Sequence, residues 1–424
     1  MAEHRANTHV VEVDVEVAWA VLNGDFTTES LQLHAFDVTP TTESPEKENP
    51  ANRQDLGEHA PTVGYNYEVN ELKASVTMQG LGGIGAPVLQ AVATAQAIAL
   101  GGVFGVDPQA SARNSTGSTV KAASTPTVDS IEETDAANHA VNQIVPFLSD
   151  SDDKWRARPV VTYASDVMTL AMNLPAGELP IVGAVIPGAT NLEWYDGAIA
   201  AALASIQAES IGQDEDDNSR FLGMNGDLSI PEVGPNEVPK FDLTFRAGFG
   251  QDLFSRAQVK EIVTLPYVAA GGEFLIAPFG SKVFTALPTN RIGIEFGATY
   301  EPLEDFLDEI KGIDGWWRPD VKTRISLTLP QEMASPAGST SGATTYKECW
   351  RNRKIVETPD RWHLLFSWGQ GQIGRSFTLY FGDVMQIEKP SSTENINGRR
   401  ANKMMFAPLA NSTSTMPRVM GAFW

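Results

Sequence analysis

The chain has 424 residues, 42% of them hydrophobic, with 53 acidic residues against 31 basic ones and a formal net charge of −22. This length and apolar content allow one large core or two ordinary ones, and the acidic balance argues against a protein that grips nucleic acid by neutralising phosphates. A single cysteine, Cys349, excludes an intrachain disulfide framework and a cysteine-rich metal site.

The opening MAEHRANTHVVEV has no apolar core flanked by positive charge, so a signal peptide is not expected and the chain reads as soluble and cytosolic. VVEVDVEV at 10–17 then alternates, with Val11, Val13, Val15 and Val17 on one face and Glu12, Asp14 and Glu16 on the other. That is a half-buried strand with one dry face and one acidic face expected to meet water.

Leu72–Met78 alternates in the same way and leads into Gly80-x-Gly82-x-x-Gly85, an expected helix over 86–100, and Asp107. Taken literally, this is a dinucleotide-binding fingerprint. A nucleotide-binding strand, however, lies in a parallel sheet and is apolar throughout, whereas this one alternates and so belongs to an antiparallel sheet. Residues 107–130 offer no second βα unit, and a second match, Gly369-Gln-Gly371-Gln-Ile-Gly374, joins two strands with no helix. Gly80, Gly82 and Gly85 are therefore expected to turn the chain tightly from strand to helix, and no cofactor is expected. Residues 80–106 carry no charge, but their Ala, Gly, Gln90, Thr94 and Gln96 fit a buried helix better than a membrane span. Val88, Ala91, Val92, Ala95, Ile98 and Ala99 form its packing stripe.

Residues 103–155 read as a polar, flexible insertion projecting from the first module. WYDGAIAAALASIQAES at 194–210 is a candidate helix, and GQDEDDNSR at 212–220 is a faint likeness of a calcium loop. It lacks the glycine at the sixth position and has Asn225 where a bidentate Glu is needed, so it reads as a solvated acidic loop. FDLTFRAGF at 241–249 is a strand with Phe241, Leu243 and Phe245 on one face. After a Gly/Pro-rich passage at 265–290, RIGIEFGATY begins a second succession of strands, short helix and strands. A first module over 1–285 and a related second module over 286–424 are expected. Within the second, EPLEDFLDEI at 301–310 reads as a short acidic helix with Leu303, Phe306, Leu307 and Ile310 inward. Trp316 and Trp317 are candidates to anchor a turn or fill an interface. RISLTLP, LLFSW and SFTLYF are strands. The six histidines show no HxH or HExxH spacing, and no GxSxG or P-loop is present, so neither catalytic nor metal-ligating residues are expected.

The order of these segments resembles the tail tube (major tail) proteins of long-tailed bacteriophages. The likeness rests on KASVTMQGLGG followed by IGAPVLQAVATA, on the hairpin MNGDLSIPEVGPNEVPKFDLTFRAGFG at 224–250, and on RIGIEFGATY, HLLFSWG, GQIG, SFTLYFGDVMQIEKP and NGRRANKMMFAPLAN in the last third. It covers most of 60–102 and 221–424, with the insertion and the acidic loop as departures. The resemblance implies a mainly β chain, an antiparallel β-sandwich or barrel with flanking helices. Its copies would join in rings of three or six chains, three if the two halves are duplicates, and the rings would stack into a tube conducting double-stranded DNA without adhering to it. It also implies the tail terminator, tape measure and distal tail proteins as partners, assembly in the host cytoplasm, a place in the virion tail, and no direct membrane binding. On this reading Glu12, Asp14 and Glu16 are lumen-facing candidates, Trp316 and Trp317 interface candidates, and the insertion an arm reaching the next ring. Two other readings stand beside it: another virion component such as a connector, distal tail or decoration protein, and an enzyme, through the Gly80–Gly85 corner or a carbohydrate-active surface at Trp316-Trp317.

Overall fold

A computed structural model describes residues 9–16, 18–20, 31–33, 35–42, 46–47, 62–63, 70–80, 94–110, 115–121, 126–134, 138–150, 152–194, 203–212, 218–252, 271–287, 289, 291–304, 313–330, 343, 345–353, 359–369, 371–396, 399–409 and 418–424. From the N-terminus these form β1 (Val10–Val15), β2 (Leu31–Leu33), β3 (Ala35–Thr41), a small ladder of β4 (Glu46–Lys47) and β5 (Thr62–Val63), β6 (Glu71–Thr77) and helix α1 (Ala95–Phe104). Next come β7 (Ser118–Thr119), β8 (Ser130–Glu132), β9 (Ile144–Leu148), β10 (Trp155–Ala164), β11 (Val167–Leu170) and β12 (Val185–Ile186). β13 (Thr190–Trp194), β14 (Ile206–Ile211), β15 (Ser219–Val233), β16 (Lys240–Asp252), β17 (Glu273–Pro278) and β18 (Thr285–Ala286) follow. The last third holds β19 (Arg291–Glu295), β20 (Ala298–Glu304), β21 (Ile313–Val321), β22 (Arg324–Pro330), helix α2 (Tyr346–Asn352), β23 (Arg361–Trp368), β24 (Phe377–Gln386), β25 (Ser391–Ile396), β26 (Arg399–Pro408) and β27 (Val419–Phe423). The chain is mainly β, and its large sheets are antiparallel.

The first layer runs β1–β14–β15–β16–β6–β3. Its margins meet: β2 pairs with β1, while β3, in the same stretch of chain, pairs with β6. The sheet therefore curls toward a barrel, which covers margins that would otherwise be open edges. The second layer runs β13–β27–β24–β23–β17–β18. The far end of β24 turns to β26, and β26–β22–β19 leads back to the far end of β15, so the long β15 belongs to both layers.

Alternation selects which side chains meet between the layers. Phe241, Leu243 and Phe245 of β16, Leu72, Ala74 and Val76 of β6, and Phe377, Leu379 and Phe381 of β24 are all buried in one core. Phe241 stands edge-on to Phe377, with centroids 5.2 Å apart. That core takes residues from Val11 to Phe423 and crosses position 285 without a break.

Helix α1 is buried on every side, which is why its stretch of sequence carries no charge. Thr94 caps its start by accepting a hydrogen bond from the Ala97 N–H, and Gly105 ends it in the left-handed region at φ 70°. The helix thus runs on to Phe104, into the segment read as insertion, while residues 86–93 of the expected helix, including Val88, Ala91 and Val92, lie outside the described residues.

Three expectations are corrected. The insertion is not a polar, flexible arm: β8–β11–β10–β9 form one sheet and β7–β12 another, around a core of Val120, Ile131, Phe147, Val160, Met168 and Leu170. This unit lies on the outer face of the second layer, where its Ile144, Ala157 and Met172 pack with Leu275, Leu365, Tyr380 and Met420. Its Ser, Thr and Ala content hid alternating strands too short to stand out. The acidic helix expected at 301–310 begins instead as strand β20, paired with β21; residues 305–310 lie outside the described residues. The helix expected at 194–210 is replaced at both ends by strands, β13 and β14. For both helix readings the spacing of apolar residues satisfied a helical stripe, but strand pairing decided the outcome, β20 with its hairpin partner β21, β13 with β27 and β14 with β1. Helix α2, capped by the Thr345 hydroxyl accepting from the Glu348 N–H, was not expected.

Candidate assembly surfaces

Of the Glu12, Asp14 and Glu16 face, the first two side chains are buried and Glu16 is half-buried. Glu12 is 6% exposed and Asp14 3%. In the register, Glu12 stands between Gln32 of β2 and Glu209 of β14, and Glu209 faces Arg220 of β15. Gln32 Nε2 donates to Glu12 Oε1 at 3.5 Å, and Arg220 Nε donates to the fully buried Glu209 Oε1 at 2.7 Å. Asp14 Oδ2 accepts from Gln207 Nε2 at 3.3 Å. Glu16 is a corner clamp: Oε1 accepts from the Gly223 N–H at 2.6 Å, and Oε2 accepts from the Ala20 N–H at 3.0 Å and from the Ser205 hydroxyl. The expected lumen-facing role is therefore overturned for Glu12 and Asp14. Alternation told which residues share a face, but not that polar cross-strand partners would bury that face.

Gly80 is where the two glycine motifs meet. A Cβ there would stand 2.3 Å from Arg375 Cα and 2.4 Å from the Gly374 carbonyl oxygen, so only glycine lets these backbones touch. Gly82 and Gly85 lie outside the described residues. At the other motif, Gly369, Gly371 and Gly374 take positive φ values of 109°, 65° and 79° in the β23–β24 connection, as a tight strand-to-strand turn requires. β6 is antiparallel to both its neighbours, and Asp107 Oδ1 accepts from the Gln109 N–H at 2.8 Å in a local turn.

The β20–β21 hairpin separates the two tryptophans. Trp316 is 5% exposed, packs with Tyr300 and Ile313, and donates its Nε1–H to the Gly223 carbonyl at 2.8 Å. Beside it, Tyr300 OH donates to the Val103 carbonyl at 2.9 Å, and Arg318 Nη1 donates to Val103 and Phe104 carbonyls at 3.3 and 3.1 Å. These donors satisfy carbonyls at the C-terminus of α1, where a cation is also favoured by the helix dipole. The Arg318 guanidinium lies 4.1 Å over the Trp194 ring. Burial pushes the Tyr300 phenol up to about 12. Trp317, on the other face, is 41% exposed. Trp316 is thus an internal anchor, and Trp317 alone is available to a partner.

Two polar clusters found only in the structure hold the inserted unit. Arg158 of β10, fully buried, forms a two-pronged pair with Glu273 of β17, Nη1 to Oε2 at 2.7 Å and Nη2 to Oε1 at 2.8 Å. Burial opposes the Glu273 charge, yet the guanidinium holds its carboxyl below the ordinary range. Inside the unit, Glu133 accepts from His139 Nδ1 at 2.6 Å, from Tyr163 OH at 2.5 Å and from the Ser118 hydroxyl. Burial again opposes the charge, and these donors outweigh it and keep the carboxyl low. A third cluster lies on the second layer: His363 Nδ1 bonds Tyr380 OH at 2.7 Å while its Nε2 accepts from the Gly280 N–H at 3.0 Å. Burial, helped by Arg361, lowers the His363 pKa to about 4, so the ring is neutral.

Among the described residues no group of three or more His, Cys, Asp and Glu side chains could hold a metal ion, and no helix is long and apolar enough to cross a membrane. Set against known proteins, the chain matches no family model and no curated protein sequence.

Proposed function

We propose that the chain is the structural subunit of a phage tail tube, polymerising as stacked rings around a channel for double-stranded DNA. The observation that carries this reading is the β15–β16 hairpin. It spans the 224–250 segment on which the resemblance is most specific, and is bonded on its flanks to β14 and to β6, the strand that leads into the glycine corner. The hairpin and β6 so joined lie at the centre of the first layer, in keeping with the β-sandwich that the resemblance implies. The charge of −22 fits a conduit that must let DNA pass, because each neutralised phosphate would add affinity and slow it. With Glu12 and Asp14 buried, the repelling carboxylates of such a channel belong to other strands.

Electron microscopy of the purified protein tests the proposal. Hollow tubes of stacked rings are the expected result, and three-fold or six-fold class averages would fix the number of chains per ring. Compact particles that never polymerise at high concentration would overturn it. Single rings without tubes would select the second reading, a virion component that forms a single ring.

A further inference from the structure

The outward face of the β20–β21 hairpin is apolar at its centre and acidic at its rim. Leu303 is 49% exposed and Trp317 41%, and Glu301, directly across from Trp317, is exposed with Glu304 and Asp314. The register places Leu303 and Glu301 on the face of Trp317. The opposite face is locked to the body through Trp316, Tyr300 and Arg318. An exposed tryptophan on a pre-organised support is the type of side chain that dominates interfaces, because little freedom remains to be lost on docking.

Elsewhere, beside helix α2, a cleft of about 560 Å³ is lined by Thr345, Lys347, Glu348, Trp350, Arg351 and Lys389. Among the described residues that line it, three cations stand against one carboxylate, the reverse of the balance in the whole chain. Among the described residues Lys347, Arg351 and Lys389 make no ion pair, and neither do Glu301, Glu304 and Asp314 on the hairpin. The Arg353 guanidinium lies 3.6 Å over the ring of the lining residue Trp350 and bonds the Gln386 and Ile387 carbonyls, which ties the end of α2 to the end of β24.

We infer that the hairpin of one copy seats in the α2 cleft of a second copy, Trp317 and Leu303 entering the cleft and the Glu301, Glu304 and Asp314 carboxylates meeting Lys347, Arg351 and Lys389. The two surfaces lie on different elements of the same chain, so the contact is head-to-tail and repeats from copy to copy, closing as a ring or continuing as a filament. This rests on the proposed polymerising subunit and names the surfaces through which it polymerises.

The test uses the full chain as wild type, as Trp317→Ala, and as Arg351→Glu/Lys389→Glu. All these side chains are exposed or at a cleft rim, so each variant should melt within a degree or two of wild type. The fraction pelleted as polymer should fall at least about tenfold in either variant. An equimolar mixture of the two should give dimers by sedimentation, since the double variant keeps an intact hairpin and Trp317→Ala an intact cleft. Adding Glu301→Lys/Asp314→Lys to the Arg351→Glu/Lys389→Glu chain should restore polymer. Polymer of wild-type yield from both variants would overturn this interface and leave the tube reading standing. A wild-type chain that stays monomeric at every concentration would overturn both. Folded variants that fail alone and also fail to pair in the mixture would refute the match of hairpin to cleft.

Discussion

His363 shows how far one residue's setting can lie from anything its neighbours in sequence reveal. The ring is held neutral between Gly280 and Tyr380, with its pKa lowered to about 4 by burial and Arg361. In the unfolded chain the same ring titrates near 6.5. Between those values only the unfolded state takes up the proton, so stability is full above pH 6.5 and declines as pH falls toward 4, by up to about 3 kcal/mol. Urea midpoints measured across this window should therefore drop with acidification, and His363→Asn should flatten that slope; an unchanged slope would show that other groups carry it. Gly80 makes a second residue-scale prediction. Its missing Cβ admits the backbone of Gly374 and Arg375, and backbone cannot rotate aside. Gly80→Ala should cost about 1–3 kcal/mol, read as a lowered melting temperature. That Gly80 makes a turn was expected from sequence; its close approach to the other glycine motif was not legible, because nothing local encodes a contact across nearly 300 positions.

At the scale of elements, the strands with strict alternation were legible and the mixed segments were not. β1, β16, β22 and β24 form where apolar residues recur at every second position. β20 and the ends of the 194–210 segment read as helix because a short apolar spacing fits either period, and the strands that decide otherwise, β21, β27 and β1, lie outside each segment. The inserted unit was hidden for a related reason: apart from β10 its strands have two to five residues and leave little pattern, and the clamp that seats the unit joins Arg158 to Glu273, 115 positions apart. That clamp predicts an asymmetry between single and paired replacement. Arg158→Ala alone leaves a carboxylate without its counter-charge and should cost about 3–5 kcal/mol, whereas Arg158→Met with Glu273→Leu should be near neutral. Urea denaturation of the three chains checks this; equal losses for the single and the double variant would mean that packing around Arg158, rather than charge, seats the unit.

At the scale of the whole molecule, the boundary expected near residue 285 has no counterpart in the core. One hydrophobic cluster joins Val11, Leu72 and Phe245 to Ile292, Phe377 and Phe423, and hydrogen-bonded ladders cross between the halves at β13–β27, β15–β19 and β17–β23. The order of segments suggested two related halves, each of strands, a short helix and strands. How the halves share a core was not legible, since order along a chain does not say which faces meet. A chain that divides its core this way leaves each half with one side of a sandwich uncovered, and burial worth about 1.5–3 kcal/mol for each large side chain is lost wherever that side faces water. Residues 1–285 and 286–424 expressed separately should therefore fail to give a cooperative thermal transition, and each should bind a hydrophobic dye strongly. Expressed together as two fragments, they should recover one transition, because the missing layer is supplied in trans. The 286–424 fragment is the decisive one. It retains β23, β24, β26 and β22, but lacks β17, β13 and β15, the strands of the other half that pair with β23, β27 and β19. A sharp, reversible melt of that fragment alone would show a self-sufficient second module and return weight to a duplicated chain in rings of three; its absence would make the whole chain the cooperative unit from which any ring is built.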